Sequence, residues 1–435
     1  MLSLPVRLVT FALCLTLLAA AQSEATLPTK ERISRIRDLS KSDAAVIPTL
    51  AHYLDDPKRD IRLEAVKAIV KIGGEPSLAP LAKATHDSDP EVQIRATDGL
   101  VNYYLPGYIA KGGLTGSLTK GFRHAKGFFS SRNDQVVPPD VQIREDVAQA
   151  LADEVSSATD SDAKANASRA AGILRARLAV PALIGTLHAK DSQVIFESLV
   201  ALQKIKDPAG GLGATSAAHD LDERVQITAL QTIGMLRSVS SAPDVRSVLA
   251  GARNNKIRRA ALDALSMLGI PSDRITFLQY SRDRDPELRA SALTGLGRIR
   301  EPEDYSILEQ AYNESDADWR VHMAAAFALV NEGKVDTTEF SPLPYLVENL
   351  DNQSRSSVGS AYLAELARKE DVRKALVPLI AHATKDQKLA ICSVLAQSQS
   401  EDVIPVLNTL AKDPDADVAI AASKAIRTAQ SRKPS

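Results

Sequence analysis

The stretch Asp285-Pro286-Glu287-Leu288-Arg289-Ala290-Ser291-Ala292-Leu293 decides the fold of this chain. Its aspartate can accept hydrogen bonds from the free amide groups of a helix start, and a proline suits the first helical position because no amide proton is needed there. Small and large apolar residues then share one helical face. Residues 89–96 (Asp-Pro-Glu-Val-Gln-Ile-Arg-Ala) repeat the pattern, which predicts an internal repeat.

The apolar residue that opens each strong helical segment recurs with a period of about 31 residues. These opening residues are Ile61, Val92, Ala163, Val194, Val225, Ile257, Leu288, Trp319, Val358, Leu389 and Val418. Three positions earlier stand Asp or Asn residues in nine of eleven cases: Asp89, Asp160, Asp191, Asp222, Asn254, Asp285, Asp316, Asp386 and Asp415. We therefore predict that these nine side chains cap helices.

A second, shorter amphipathic segment precedes each of these helices and is often entered through proline, as at Pro48, Pro80, Pro181, Pro344 and Pro405. Two helices per repeat, without sustained strand-like alternation, predict an all-α fold, an α-solenoid of about eleven helix pairs over residues 31–430. Residues 22–30 are an N-terminal extension and residues 431–435 a tail. The Gly210-Gly211-Leu212-Gly213 segment is interpreted as a helix stop.

Residues 285–293 and 89–96 resemble the second-helix signature of the HEAT repeat family, and more closely its short bacterial form of the phycobilisome-lyase type. The resemblance covers most of residues 31–430 and implies a HEAT-like solenoid. Arg62, Arg258, Arg289 and Arg320 recur one place after the opening residue. They form either a basic ridge or, as the resemblance implies, pairs with the helix-start Asp of an adjacent repeat.

An insertion at residues 105–139 breaks the period and concentrates aromatic and basic side chains, with no acidic residue between positions 106 and 132. Such side chains could bind a protein partner, a polyanion or a membrane surface, or the rings could simply cover the edge of the solenoid. The candidate partner-binding residues are Tyr108, Lys111, Lys120, Phe122, Arg123, His124, Lys126, Phe128, Phe129 and Arg132. A smaller interruption, from Asn331 to Pro342, is predicted to be an ordinary loop.

The N-terminus is typical of a cleavable signal peptide, residues 1–21, with an apolar run from Leu8 to Leu18 followed by three alanines. We therefore expect an exported protein, periplasmic or extracellular and bacterial, without a transmembrane span. Cleavage after Ala21 leaves one cysteine, Cys392, and hence no internal disulfide. The net charge of −1 gives no reason to expect nucleic acid as a partner.

No catalytic motif emerges from the sequence. None of the seven histidines is followed by Glu or lies at ligand spacing from another, so we expect no metal and no cofactor. We expect a non-enzymatic, exported scaffold that binds one or more protein partners through its extended surface and the insertion. Two alternatives stay open: lyase-like or chaperone activity, which the family resemblance implies, and binding of an anionic envelope component or membrane surface.

Overall fold

The structure, a computed structural model, describes residues 27–109 and 135–431, and in these ranges the chain forms α-helices and short 3-10 turns without a strand. The all-α prediction is confirmed. The described residues divide into two compact units: those up to residue 136 with residues 143–186, and residues 137–142 with those from residue 187 onward.

The first unit contains α1 (Thr29–Leu39), α2 (Ile47–His52), α3 (Arg59–Ile72), α4 (Leu78–Ala84), α5 (Pro90–Tyr104), α6 (Glu145–Ser157), α7 (Ser161–Ile173) and α8 (Val180–Thr186). The second contains α9 (Ser192–Ile205), α10 (Ala209–Gly213), α11 (Glu223–Met235), α12 (Ala242–Ala250), α13 (Asn255–Leu268), α14 (Arg274–Tyr280), α15 (Pro286–Ile299), α16 (Tyr305–Asn313), α17 (Trp319–Asn331), α18 (Pro342–Glu348), α19 (Ser356–Leu366), α20 (Glu370–Ile380), α21 (Lys385–Ala396), α22 (Ile404–Leu410) and α23 (Ala416–Ser431).

After α1, the helices of the described residues follow one another along the chain as eleven successive pairs, from α2 with α3 to α22 with α23, and ten of these pairs lie within a single unit. This pairing confirms the predicted number of repeats. Pro48, Pro80, Pro181, Pro344 and Pro405 each lie within the first three residues of the first helix of a pair. Each unit is thus a stack of helix pairs, the architecture of an α-solenoid.

Seven of the nine predicted caps are present: Asp89, Asp160, Asp191, Asp222, Asn254, Asp285 and Asp415 accept amide hydrogen bonds at a helix start. The predicted caps Asp316 and Asp386 are wrong. Asp318 caps α17 instead, and Thr384 caps α21 in a reciprocal capping box with Gln387.

Those two corrections move the repeat register as well. Counted from the observed caps, Val321 rather than Trp319 opens the buried face of α17, and Ala325, Ala328 and Leu329 then occupy the small, small and large positions. In α21 the register moves two residues in the opposite direction, which places the buried Leu395 where Gln397 was counted but puts the polar Gln387 at the opening position. The corrected register therefore extends the repeat pattern to α17 but only in part to α21.

Small residues on the second helices allow close packing between neighbouring repeats. A Cβ atom on Gly297 would lie 2.4 Å from Cβ of Ala328, and one on Gly295 would lie 2.7 Å from the ring of Phe277. Protein interiors are close-packed, so neither contact leaves room for a methyl group. The predicted alternation of small and large residues therefore brings α15 close to its neighbours.

The capping aspartates also pair with arginines of the preceding repeat. Oδ1 of Asp285 accepts hydrogen bonds from the amide groups of Glu287 and Leu288, while Oδ2 accepts one from Nε of Arg259 at 3.0 Å. Asp89 is used in the same way, with Arg59 as its partner at 3.0 Å. Each such carboxylate stabilises both a helix start and the contact between two repeats.

Three of the four arginines singled out in the sequence have acidic partners, but not the predicted ones. Arg62 makes two hydrogen bonds to Asp87, which lies two residues before the next cap, and Arg289 pairs with Glu314. Arg320 pairs with its own cap, Asp318, and Arg258 bonds within its own helix. The expected pairing with a helix-start Asp of the adjacent repeat is therefore wrong for these four residues.

Two helix limits also differ from the predictions. The insertion is predicted to end at residue 139, but the helix that follows it begins only at Glu145. The Gly210–Gly213 segment is not a helix stop but part of the short helix α10, the first helix of a pair. Gly210 packs against Leu202 and Leu236, and a Cβ atom there would lie 3.0 to 3.1 Å from their side chains. Gly210 therefore allows close packing of α10 rather than ending a helix.

Candidate functional site

The structure describes one of the ten candidate residues of the insertion. The Tyr108 side chain is buried, with 4% of the residue exposed, and its amide group bonds to the carbonyl of Leu105 at 3.1 Å. The other nine lie outside the described residues: Lys111, Lys120, Phe122, Arg123, His124, Lys126, Phe128, Phe129 and Arg132. Their role in binding stays a prediction.

The end of the insertion and the residues just after it are packed. Val137 is 1% exposed, and the carboxylate of Asp140 lies 3.8 Å from Nε of Arg427 on α23. Residues 137–142 and α23 belong to the same compact unit. The last residues of the insertion therefore belong to the second unit.

A charged cluster ties helices of the second unit together through Glu365 on α19. Arg298 on α15 donates to both oxygens of its carboxylate, at 3.1 and 2.9 Å, and Arg237 donates to one of them at 2.8 Å. Partial burial opposes ionisation of Glu365, but these two guanidinium groups outweigh it and lower its pKa to about 2. Arg237 and Glu365 are 128 residues apart in sequence.

Hydroxyl and aromatic groups complete this cluster. Oγ of Ser266 accepts a hydrogen bond from Nη1 of Arg298, the nitrogen that does not bond to Glu365, at 2.8 Å. The same guanidinium group lies 4.8 Å from the ring centre of Phe327. Asp263 accepts a hydrogen bond from Ser291; nearby protein displaces water from its carboxyl group and raises its pKa to about 6. Since these groups bind one another, the cluster acts as a structural tie.

Glu154 on α6 is a buried acid in the first unit. It is fully buried, and Oγ1 of Thr97 bonds to its Oε2 at 2.5 Å. Burial raises the pKa of Glu154 well above its ordinary value, against the opposing effect of the threonine hydrogen bond. Over residues 27–109 and 135–431, no cluster of three or more His, Cys, Asp or Glu side chains is arranged to hold a metal ion.

Phe340 is the most unusual exposed residue of the loop between α17 and α18. It is 79% exposed, and its backbone has a φ of +64°, a left-handed conformation that is strained for an aromatic residue. Its carbonyl accepts a hydrogen bond from Oη of Tyr312 at 2.8 Å. The loop therefore holds a large apolar side chain in solvent, at a conformational cost.

Three further rings lie beside this loop. Tyr312, His322 and Tyr345 contact one another edge to face, with ring centres 5.9 to 6.4 Å apart. All three are half-buried. Burial raises the pKa of Tyr312 and of Tyr345, so both rings stay neutral phenols. Together with Phe340 they form a surface that we call the aromatic face.

Carboxylates surround the aromatic face. Residues 301–351 contain twelve Asp and Glu against two Lys and Arg, although the whole chain has a net charge of −1. Asp336, Glu339 and Glu348 are exposed, and the charges of Asp336 and Glu348 contribute to the raised pKa of Tyr312. The face thus combines one exposed ring and three half-buried rings with a local excess of negative charge.

A family model described as HEAT repeats matches residues 16–101 and 276–367. Both regions are HEAT repeats. The HEAT-repeat fold commonly serves as a scaffold for protein interactions. The aromatic face lies in the second region, where the loop from α17 to α18 joins two repeats.

Solved structures with similar helical arrangements include an engineered protein, with 16% identity, a TM-score of 0.36, and coverage of 88% of this chain and 98% of that one. Kap121p has 14% identity and a TM-score of 0.38, with coverage of 88% of this chain and 45% of that one. The complex of CpcE and CpcF of phycocyanin lyase from Nostoc sp. PCC7120 has 16% identity, a TM-score of 0.34, and coverage of 68% and 96%. None of these likenesses bears on function, and no curated protein matches the sequence.

Within residues 27–109 and 135–431, every helix is too short or too polar to cross a bilayer. Sequence reasoning missed the aromatic face and classed its loop as ordinary. One signal was available: the acidic excess of residues 301–351 stands out in a chain whose total net charge is only −1.

Proposed function

We propose that this HEAT-repeat protein is an exported, non-enzymatic scaffold that binds a protein partner through the aromatic face. The observation that carries the proposal is Phe340, an aromatic side chain kept in solvent by a strained backbone. Backbone strain at an exposed position is typical of functional sites, and exposed aromatic residues are frequent energetic anchors of protein interfaces.

The surrounding loop is ordered in advance of binding. Oγ of Ser341 donates to the carbonyls of Asp336 and Thr338, at 3.0 and 2.7 Å, and the hydroxyl of Tyr312 holds the carbonyl of Phe340. A loop that is already fixed loses little conformational freedom when a partner binds, so more of the contact energy remains as affinity.

Export and the role of the insertion belong to the same proposal. Expression of the full chain in a bacterial host should place a protein lacking residues 1–21 in the periplasmic fraction, as judged by intact mass. Deleting residues 110–134, which spares the buried Tyr108 and Val137, should lower recovery of the partner if the insertion is a second binding element.

Affinity purification from a native envelope fraction, followed by mass spectrometry, tests the proposal. The tagged full chain should recover at least one protein that Phe340→Gly does not. Glycine adopts a positive φ without strain, so this variant removes the ring while keeping the fold. Ile275→Ala is the matched control, because Ile275 is also exposed (69%) and lies on α14. Equal recovery by Phe340→Gly and wild type would refute the assignment of the aromatic face.

A further inference from the structure

The aromatic face also indicates the chemistry of its partner. We infer that it binds a cationic segment of a protein, in which a lysine or arginine side chain lies against the Phe340 ring while neighbouring basic residues pair with Asp336, Glu339 and Glu348. This inference rests on the proposed function and names its partner class.

The first observation is the local charge. Asp336, Glu339 and Glu348 are exposed, and among residues 27–109 and 135–431 no basic side chain forms an ion pair with any of these three. The nearby cation Lys334 pairs with Glu309, at 3.4 Å. An approaching cationic segment therefore meets carboxylates whose charge is not already neutralised.

The second observation is the combination of these charges with rings. An ammonium or guanidinium group is attracted to the face of an aromatic ring, and the attraction is stronger where adjacent carboxylates add to it. The chain already contains such contacts, since the guanidinium groups of Arg320 and Arg355 lie 4.5 and 5.6 Å from the ring centre of Trp319. Phe340 offers an exposed ring beside carboxylates that form no ion pair with the described residues.

The third observation is that the acidic loop is held in shape. Oδ1 of Asp336 accepts the hydroxyl of Thr338 at 2.5 Å, and this hydrogen bond lowers the pKa of Asp336. The Asp336 carboxylate is therefore ionised across the neutral pH range and held near the position of Phe340. Fixed charges discriminate by sign, so an acidic segment should be rejected.

Fluorescence anisotropy with the purified full chain tests this inference. The probe is a fluorescein-labelled decapeptide of alternating lysine and serine, compared with one in which glutamate replaces lysine. The lysine peptide should bind and the glutamate peptide should not. Binding should weaken as salt is raised, because exposed charges are screened.

Two variants and one control locate the binding. The triple variant Asp336→Asn, Glu339→Gln, Glu348→Gln should lower affinity for the lysine peptide about tenfold, and Phe340→Gly should lower it to a similar extent. The control variant Asp38→Asn, Glu75→Gln, Glu370→Gln removes the same charge from exposed positions elsewhere and should bind as wild type does. Equal losses in both triple variants, or no preference for lysine over glutamate, would overturn the inference.

The outcomes separate this inference from the function on which it rests. If Phe340→Gly loses the cellular partner while the acidic triple variant retains it, the scaffold function stands and the cationic partner is wrong. If the wild-type chain recovers no partner, the proposed function fails. In that case the peptide measurements still decide whether the face selects cations.

Discussion

Glu365→Gln should destabilise the second unit, because Glu365 links Arg298 and Arg237. The carboxyl pKa falls from an ordinary 4.5 to about 2, and a shift of about 2.5 units corresponds to about 3 kcal/mol of folding free energy at neutral pH. Glutamine keeps the shape and removes the charge, so the loss should approach that value. Arg298, with 11% of its side chain exposed, would then lose the carboxylate with which it forms its ion pair.

The pH dependence has a definite sign. A lowered pKa in the folded state stabilises the protein above the ordinary value of 4.5, and this stabilisation is lost as the pH falls toward 2. The difference between wild type and Glu365→Gln should therefore be largest at neutral pH. It should fall to less than half at about pH 3.

Urea unfolding, followed by tryptophan fluorescence, measures this difference. Trp319 is the only tryptophan of the chain and opens α17, whose Phe327 stacks on Tyr362 of α19 with ring centres 4.7 Å apart. Glu370→Gln is the control: it breaks a pair with Lys374 whose side chains are 64 to 75% exposed, and should change stability by less than about 0.5 kcal/mol. Equal, small losses of unfolding free energy in Glu365→Gln and Glu370→Gln would refute the stabilisation assigned to the Glu365 ion pairs.

Three further predictions concern the fold. Gly297→Ala should destabilise the protein by about 3 kcal/mol in urea unfolding, because the new methyl group meets backbone, whereas Gly185→Ala, with open space around it, should be neutral or stabilising by up to about 1 kcal/mol. Asp285→Ala should lower stability by about 1 to 2 kcal/mol through loss of the cap, while Asp316→Ala should stay within about 0.5 kcal/mol; similar values for the two would contradict the observed register. Glu154 has a raised pKa in the folded state, so its contribution to the free energy of unfolding is complete below the ordinary carboxyl pKa and is lost as the pH rises through the folded pKa. Glu154→Gln should therefore flatten the fall in stability with rising pH. An unchanged pH profile would show that the Glu154 carboxyl titrates normally.

Much of the fold could be predicted because each repeat carries its own local signals. A capping Asp, a proline at the helix start and a small residue one turn later lie close together in sequence, and the same local signals recur in successive repeats. The failures at Asp316 and Asp386 have a physical cause. The chain before α17 contains two suitable aspartates, Asp316 and Asp318, and a fixed period cannot decide which of them reaches the first turn.

The candidate site was less accessible to such reasoning. Whether Phe340 takes a positive φ depends on the hydroxyl of Tyr312, 28 residues away, and on the turn around Ser341. Likewise the tie between Arg237 and Glu365 depends on how several repeats stack, which no local pattern encodes. Sequence therefore indicated where helices begin, but not which side chains meet across the stack.

The double use of the capping aspartates gives the repeats a direction. Asp285 lies downstream of Arg259, so during synthesis the guanidinium group belongs to a repeat that leaves the ribosome first. The incoming segment then finds a counter-charge already in position when its first turn forms. We expect the repeats to fold in order from the N-terminus, each folded repeat supplying the arginine that pairs with the capping aspartate of the next.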